Sequence, residues 1–173
     1  MWRPMTRADL AAVGDIAAEV HPGYPEDAAV FEERLRLYPA GCHVCADGAA
    51  ITGYILSHPW IDRQPPALNT LLGSIPTGAD TYYIHDIALL GQSRGKDAAR
   101  AILRTLVELA RPSGLMSLSL IAVNDSVAFW QKLGFKIVDD NALNGKLKSY
   151  DEQALFMRLD LAANCDTKVA PHD

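Results

Sequence analysis

The sequence predicts one α/β domain, and three observations support this prediction. The chain has 173 residues, close to the ~150 residues of an average domain and enough to bury ~70% of the surface of the unfolded chain. Strand and helix patterns alternate along its second half, which favours a sheet with at least one parallel crossover. We find neither an internal repeat nor a linker that would divide the chain, so one domain is expected over 1–161.

Each element follows from a local pattern. Thr6 can cap the first helix, whose apolar side chains from Leu10 to Val20 recur at helical spacing. His21-Pro22-Gly23 ends that helix, and Asp47-Gly48 suits the tight turn of an antiparallel hairpin. The segment 59–80 contains four prolines and is expected to be a functional or mobile loop. The predicted elements are, in chain order, a strand at 2–5, a helix from Arg7 to Val20, a helix through Phe31, Leu35 and Tyr38, strands at 42–46, 49–57 and 81–90, a helix at 97–111, a strand at 116–123, a helix at 126–133, and strands at 135–139 and 153–161, followed by a tail at 162–173 that is expected to be flexible.

Composition and charge argue against several classes of protein. The chain carries 16 basic and 21 acidic residues, a net charge of -5, which argues against a nucleic-acid partner. The first residues do not resemble a secretory signal, and no stretch approaches the ~18 apolar residues of a membrane span. An odd number of cysteines predicts reduced thiols and a cytoplasmic location. Cys42 and Cys45 have C-x-x-C spacing without a second pair of ligands nearby, so no metal is expected.

The most informative stretch joins a predicted strand to a predicted helix. It reads G-Q-S-R-G-K-D-A-A-R from Gly91 to Arg100. A glycine-containing turn that leads into a helix N-terminus exposes unpaired backbone N–H groups, which together with the helix dipole suit a phosphate or pyrophosphate. Arg94, Lys96 and Arg100 add positive charge there. The alternative is an ordinary helix start with solvated basic residues, and this stretch alone does not decide between the two.

Two motifs resemble those of the GNAT superfamily of acetyl-CoA-dependent N-acetyltransferases. The stretch Gln92-Ser93-Arg94-Gly95-Lys96-Asp97 is similar to the family's Q/R-x-x-G-x-G/A, with Asp97 where the family has a small residue. The stretch N-D-S-V-A-F-W-Q-K-L-G-F at 124–135 resembles the family's N-x-x-A-x-x-x-Y-x-K-x-G-F, one residue shorter and with Trp130 at the tyrosine position. The closing A-L-F-M-R-L at 154–159 resembles the family's last strand. Both motifs stand in the family's order.

The resemblance implies a fold and an activity. The fold is a single GNAT-like domain with a mixed, mostly antiparallel sheet of about seven strands, splayed between strands four and five and flanked by helices. The activity is transfer of an acetyl group from acetyl-CoA to a primary amine of a small molecule or protein by direct attack, without a metal. Members of the family often pair, which leaves a homodimer as an open expectation.

For the donor, the resemblance implies that backbone groups of strand four pair with the pantetheine arm. The amides of the following turn would hold the pyrophosphate, and Asn124 would lie beside the pantetheine or the acetyl end. Trp130 carries an N–H donor but is no practical acid. The implied donor-site residues are Ile87, Ala88, Leu89, Gln92, Ser93, Arg94, Gly95, Lys96, Asp97, Ala98, Ala99, Asn124 and Trp130.

The catalytic residues are predicted from residue type and position. A primary amine is mostly protonated at pH 7, so a base must take its proton. His85 and Asp86 lie on strand four, where this family often places such a group, and histidine is the side chain whose ordinary pKa suits the task best. Period-two geometry predicts that the two side chains point to opposite faces of the sheet. For the leaving thiolate, Tyr150 is a candidate acid by type; otherwise the thiolate leaves unassisted.

The sequence leaves two interpretations open in which the protein is not an enzyme. A non-catalytic module that binds or senses acyl-CoA on the same fold is favoured by Asp97 near the pyrophosphate and by Trp130 in place of an acid. An interaction domain without any ligand would leave both motifs without a use, so we rank it last. The leucines and prolines of 59–80 suggest an acceptor with an apolar portion, although the same residues could cover core.

Overall fold

The computed structural model describes residues 1–94, 97–123, 125–148 and 151–161. Their strands are β1 (Trp2–Pro4), β2 (Cys42–Asp47), β3 (Ala50–Trp60), β4 (Thr81–Leu89), β5 (Ser117–Ala122), β6 (Lys136–Ile137) and β7 (Leu155–Asp160). Their α-helices are α1 (Leu10–Val20), α2 (Ala28–Leu37), α3 (Ala98–Ala110), α4 (Val127–Lys132) and α5 (Asn141–Leu147). The strands form one sheet in the order β1-β2-β3-β4-β5-β7-β6. The pair β4 and β5 is parallel and the other pairs are antiparallel.

The predicted order of elements is confirmed, with one helix that the sequence did not indicate. Helix α5 contains asparagine and glycine, which favour helices poorly. Asp140 caps this helix, because its carboxylate accepts hydrogen bonds from the backbone N–H groups of Ala142 and Leu143 at 3.1 and 3.2 Å. Leu143 and Leu147 are buried against the sheet. Tertiary burial and capping therefore outweigh the weak local propensity. The predicted tail at 162–173 lies outside the described residues.

The two faces of the sheet are covered by different helices. We call the face under α1, α2 and α5 the front, and the face under α3 and α4 the back. On the back, Ile55, Ile84, Leu118 and Met157 pack with Ile102, Leu106 and Trp130. On the front, Tyr54, Leu56 and Ala88 pack with Val13, Ile16, Phe31 and Leu35 of α1 and α2, while Tyr83 and Phe156 pack with Leu143 and Leu147 of α5.

The parallel strands β4 and β5 separate toward their carboxyl ends. Among the described residues their pairing covers Tyr82 with Leu118 and Tyr83 with Ser119 and goes no further. Strand β4 continues to Leu89 along β3 instead. The splay that the resemblance implied between strands four and five is therefore present, and it exposes one edge of β4.

Cys42 and Cys45 are both buried and form no disulfide. Burial raises the pKa of the Cys42 thiol to about 12, so this side chain is a neutral thiol near pH 7. Within the part of the chain that the structure describes, no three His, Cys, Asp or Glu side chains come together as a metal site would require. In the same part, no helix is long and apolar enough to cross a membrane.

Candidate active site

A cavity of about 750 Å³ opens where β4 and β5 separate. Its walls come from both strands, from the start of α3 and from α4 on the back, and from the end of α1 and the following segment on the front. The loop between β3 and β4 adds Pro66 and Leu68. The cavity therefore meets the exposed edge of β4 as well as residues from both faces of the sheet.

A β-bulge in β4 aims two adjacent polar side chains at this cavity. Leu56 of β3 pairs with Asp86. The next residue of β3, Ser57, pairs with Ile84, which leaves His85 as the extra residue of the bulge. His85 and Asp86 both line the cavity. His85 contacts Glu26 and Asp86 contacts His21 and Tyr54, all on the front. The expectation that the two side chains point to opposite faces is therefore wrong, because the bulge interrupts the alternation on which it rested.

His85 is paired with a carboxylate from the segment between α1 and α2. Its Nε2 lies 2.9 Å from Oε2 of Glu26, and the two side chains are 7% and 5% exposed. Burial alone would raise the pKa of Glu26, but the hydrogen bond and the charge of His85 outweigh it and hold that pKa below its ordinary value. With Nε2 donating to this carboxylate, Nδ1 is the ring nitrogen that can accept a proton.

Asp86 forms a second acid–histidine pair. Nε2 of His21 lies 3.1 Å from Oδ1 of Asp86 and 3.1 Å from the carbonyl oxygen of Ile87. The hydroxyl of Tyr54 donates to the other carboxylate oxygen. Burial would raise the pKa of Asp86, yet the hydrogen bonds from His21 and Tyr54 and the charge of His21 lower it. For His21 burial acts to lower the pKa, and Asp86 raises it above its ordinary value.

The exposed edge of β4 offers backbone groups to the cavity. The N–H of Leu90 donates to the carbonyl of Thr52 at 2.9 Å, and backbone pairing alternates along an antiparallel ladder. The backbone of Ala88 therefore pairs with β3, whereas the N–H and C=O groups of Ile87 and Leu89 point toward the β5 side. The carbonyl of Leu89 accepts a hydrogen bond from Nε of Arg94 at 2.9 Å.

A known protein family has a model that matches most of this chain. Residues 10–135, more than half of the chain, match the family model described as the acetyltransferase (GNAT) family. The chain belongs to the acetyltransferase (GNAT) family. This assignment confirms the resemblance seen in the two motifs, and it supports the expected class of enzyme, an acyltransferase. A search of the curated proteins finds no match for this GNAT chain.

Solved structures share its fold at low sequence identity. The loading GNATL domain of CurA from Lyngbya majuscula superposes with a TM-score of 0.74 at 13% identity, covering 94% of this chain and 98% of that domain. The GNAT-like decarboxylase GphF, solved with isobutyryl-CoA, superposes with a TM-score of 0.73 at 16% identity, covering 93% of this chain and 99% of that chain. The ribosomal-protein-S18-alanine N-acetyltransferase from Escherichia coli gives 0.64 at 14% identity, covering 93% of each chain. The expected single-domain GNAT-like fold is thus confirmed.

The predicted donor turn of this GNAT chain lies beside the cavity. Leu89, Ser93, Arg94, Asp97, Ala98 and Ala99 line it, and Gln92 is exposed next to them. The hydroxyl of Ser93 is buried and donates to Oγ1 of Thr52 at 2.7 Å. Its side chain therefore anchors the turn to β3, and its backbone N–H donates to the carbonyl of Leu90 at 2.9 Å. Gly95, Lys96, Asn124 and Tyr150 lie outside the described residues.

Asp97 occupies a backbone conformation that glycine adopts most easily. Its φ and ψ are 54° and 13°, in the left-handed region that aspartate tolerates better than most residues. Its side chain is 89% exposed and lies 3.8 Å from Nε of Arg100. The carboxylate thus extends into solvent beside a cation, which weakens the argument that it repels a pyrophosphate.

Trp130 combines core packing with a place in the cavity wall. It is 5% exposed, its ring lies 5.1 Å from that of Phe129 and 5.2 Å from that of Phe135, and it lines the cavity. The ring fills space at the position where the family motif has tyrosine and brings no acid to it.

Three side chains of the site were missed by the sequence analysis: His21, Glu26 and Tyr54. His21 directly precedes Pro22-Gly23 at the end of α1. This stretch predicted the end of the helix but no functional role for His21. Glu26 and Tyr54 follow no motif, and their spacing from His85 and Asp86 is irregular. Only the packing of the α1–α2 segment and of β3 against β4 brings them together.

Proposed function

We propose that this GNAT protein transfers the acetyl group of acetyl-CoA to a primary amine by direct attack, with His85 as the base. The observation that carries the proposal is the bulge of β4, which brings His85 and its partner Glu26 to the cavity beside the exposed β4 edge. A base and backbone N–H groups that face the cavity are what an acyl transfer from a thioester requires at one place.

The donor would lie along the exposed edge of β4. The N–H of Leu89 points toward the β5 side, so it can donate to a carbonyl of the pantetheine arm, whereas the carbonyls of Ile87 and Leu89 already contact His21 and Arg94. The pyrophosphate would meet the start of α3, where the first amides of the helix and the helix dipole favour an anion. Arg94 and Arg100 line the same cavity and add positive charge.

The reaction would proceed through one tetrahedral intermediate. The neutral amine attacks the thioester carbonyl carbon, a C–N bond forms, and the carbonyl oxygen becomes an oxyanion. The cleft-facing N–H of Ile87 is placed to stabilise that charge. His85 takes the proton of the amine nitrogen at Nδ1, and Glu26 holds the resulting imidazolium. The C–S bond then breaks, and CoA leaves as the thiolate without an acid, because Trp130 cannot donate a proton.

A second candidate function is binding of acyl-CoA without catalysis. Trp130 at the tyrosine position favours it, because a module that only binds needs no acid. The pairing of His85 with Glu26 has no evident use in such a module.

The experiment begins with the thermal stability of the protein with and without acetyl-CoA. Ligand at ~100 times its Kd adds ~2.7 kcal/mol, a rise of roughly 5–10 °C. CoA release is then measured with a panel of primary amines. The variant His85→Gln should lose ~10²-fold or more in turnover at pH 7 while keeping the thermal shift. His43→Gln, on β2 and away from the cavity, should keep both. A thermal shift without CoA release from any amine would favour the binding module, and no shift would reject both functions.

A further inference from the structure

The loop between β3 and β4 forms part of the cavity wall through Pro66 and Leu68. Leu68 is 36% exposed, so part of its apolar side chain is in contact with water. An apolar side chain at a cavity surface gains free energy when an apolar ligand group covers it.

Buried charged groups hold the loop immediately after Leu68. The N–H of Asn69 donates to Oε1 of Glu26 at 3.1 Å. The carbonyl of Thr70 accepts a hydrogen bond from Nη2 of Arg34 at 2.9 Å. The next two anchors go to Glu33, whose carboxylate accepts from the N–H groups of Leu72 and Gly73 at 2.6 and 2.8 Å. Arg34 and Glu33 are 1% and 6% exposed. Charge-assisted bonds to buried groups are strong, so Leu68 is presented from an anchored segment.

Glu26 links this wall to the base. One of its oxygens accepts from Asn69, the residue after Leu68, and the other lies 2.9 Å from Nε2 of His85. Adjacent Cα atoms are only ~3.8 Å apart, so the backbone that carries Leu68 begins next to the carboxylate. Pro66, Leu68 and His85 line the same cavity, so an amine bound at His85 can place its carbon chain against Leu68 and Pro66.

The charges of the site restrict the rest of the acceptor. Glu26 and Asp86 are carboxylates on the front side of the cavity, and the pKa of each is below its ordinary value. Each is already paired with a histidine, Glu26 with His85 and Asp86 with His21, so neither offers an unpaired charge to the rest of the acceptor. A carboxylate or a second ammonium group of the acceptor would therefore lose its water against Leu68 and Pro66, which is costly without a partner. This penalty does not apply to an acceptor with a single amine and an apolar remainder.

We infer that the acceptor is a primary amine with an apolar group on the carbons beside its nitrogen, and that Leu68 determines this specificity. The inference rests on the proposed function and adds the chemical class of the acceptor. The same chemistry is offered by a free alkylamine or arylalkylamine and by a protein N-terminus whose first residue is apolar.

The test compares acceptors by CoA release with saturating acetyl-CoA. Hexylamine or 2-phenylethylamine should show a kcat/KM at least ~10-fold above that of 1,4-diaminobutane and of β-alanine. A peptide with an N-terminal leucine separates the two sources, because acetylation of the peptide alone assigns a protein end and acetylation of the amines alone assigns a small molecule.

Two leucine variants then test the residue. Leu68→Ala should lower kcat/KM for hexylamine ~10-fold, mainly through KM, and lower kcat/KM for ethylamine by a smaller factor, since ethylamine has less apolar surface to cover. Leu71→Ala is the matched control, since Leu71 is on the same loop and 61% exposed. Equal kcat/KM for hexylamine and 1,4-diaminobutane, or equal effects of the two variants, would overturn the inference and leave the proposed function intact. Failure of the proposed function would instead show as no CoA release with any acceptor.

Discussion

The carboxylate of Glu26 lies 2.9 Å from Nε2 of His85, although 59 positions separate the two residues in the chain. Both side chains are nearly inaccessible to water, where a charge-assisted hydrogen bond is stronger than at the surface. The second oxygen of Glu26 holds the N–H of Asn69 at 3.1 Å. One carboxylate thus connects the proposed base with the loop that carries Leu68.

Replacing Glu26 by glutamine should lower kcat by about 100-fold, the lower end of the range for lost acid–base catalysis. The amide carries no charge to stabilise an imidazolium at His85, and it can turn its NH₂ toward Nε2 and so change the tautomer. Its carbonyl can still accept from Asn69, so the loop is retained. Initial rates of CoA release measure the effect.

Glu33→Gln is the matched control for this variant. Glu33 holds Leu72 and Gly73 of the same loop but does not bond to His85. We expect a change in KM for the amine and a lower Tm, with kcat close to that of the wild type. Equal losses of kcat in the two variants would assign the effect to the loop and not to His85.

Asp97→Gly should leave the affinity for acetyl-CoA within ~3-fold of the wild type, because the exposed carboxylate already points into solvent beside Arg100 and surface charges are strongly screened. Isothermal titration calorimetry measures it. Asp97→Ala should instead lower stability by about 1 kcal/mol, since alanine tolerates the left-handed backbone poorly. Binding that becomes ~100-fold tighter in Asp97→Gly would show that the carboxylate does face the pyrophosphate.

The burial of His58 should make the protein less stable as the pH falls below ~6.5, the ordinary pKa of histidine. The ring is 1% exposed and lies 5.3 Å from that of Trp60 and 5.7 Å from that of Tyr83. Burial lowers its pKa to about 3. Between these two pH values the unfolded chain binds a proton that the folded chain does not, so the free energy of unfolding falls by up to ~1.4 kcal/mol per pH unit.

Urea unfolding at pH 7, 6 and 5 tests this contribution in the wild type and in His58→Gln. The variant should show a shallower loss of stability, whatever its stability at pH 7. The carboxylates of Glu26 and Asp86 have lowered pKa values, so their stabilisation is lost only at lower pH. His21, whose pKa is raised, contributes in the opposite direction because its stabilisation is lost as the pH rises. Parallel curves for the two proteins would contradict the prediction.

Gly53→Ala should weaken acetyl-CoA binding by ~10-fold or more. A loss of ~1.4 kcal/mol in contacts between the β4 edge and the ligand raises the Kd tenfold. Gly53 pairs with Leu89 across β3 and β4. A Cβ atom at this position would lie 2.7 Å from the carbonyl oxygen of Ala88 and 2.5 Å from Cδ2 of Leu89. Since a backbone atom cannot turn aside as a side chain can, the β4 edge has to shift.

Gly14→Ala provides the comparison, because a Cβ there meets nothing within 4 Å. In the middle of α1 it should stabilise the protein by roughly 0.5–1 kcal/mol and leave the affinity for acetyl-CoA unchanged. Titration calorimetry and thermal unfolding report the two quantities. If Gly53→Ala binds acetyl-CoA as well as Gly14→Ala does, the donor does not use this edge of β4.

Much of the fold was predictable because its signals are local. The apolar spacing from Leu10 to Val20, the turn at Asp47-Gly48 and the alternation of strands and helices each lie within a short segment, where period and turn chemistry act directly. Helix α5 escaped prediction, since its stability comes from the burial of Leu143 and Leu147 against the sheet, which local propensity does not report.

The sequence by itself determined the family and the place of the donor turn, because both motifs are runs of adjacent residues whose chemistry depends on their order. Only the tertiary structure decided what surrounds the proposed base. The bulge at His85 is a property of two paired strands, so the sequence of β4 alone predicted the wrong face for one of its two polar residues. Glu26 meets His85 across 59 positions and His21 meets Ile87 across 66. Contacts between segments so far apart follow no period, and packing alone brings them together.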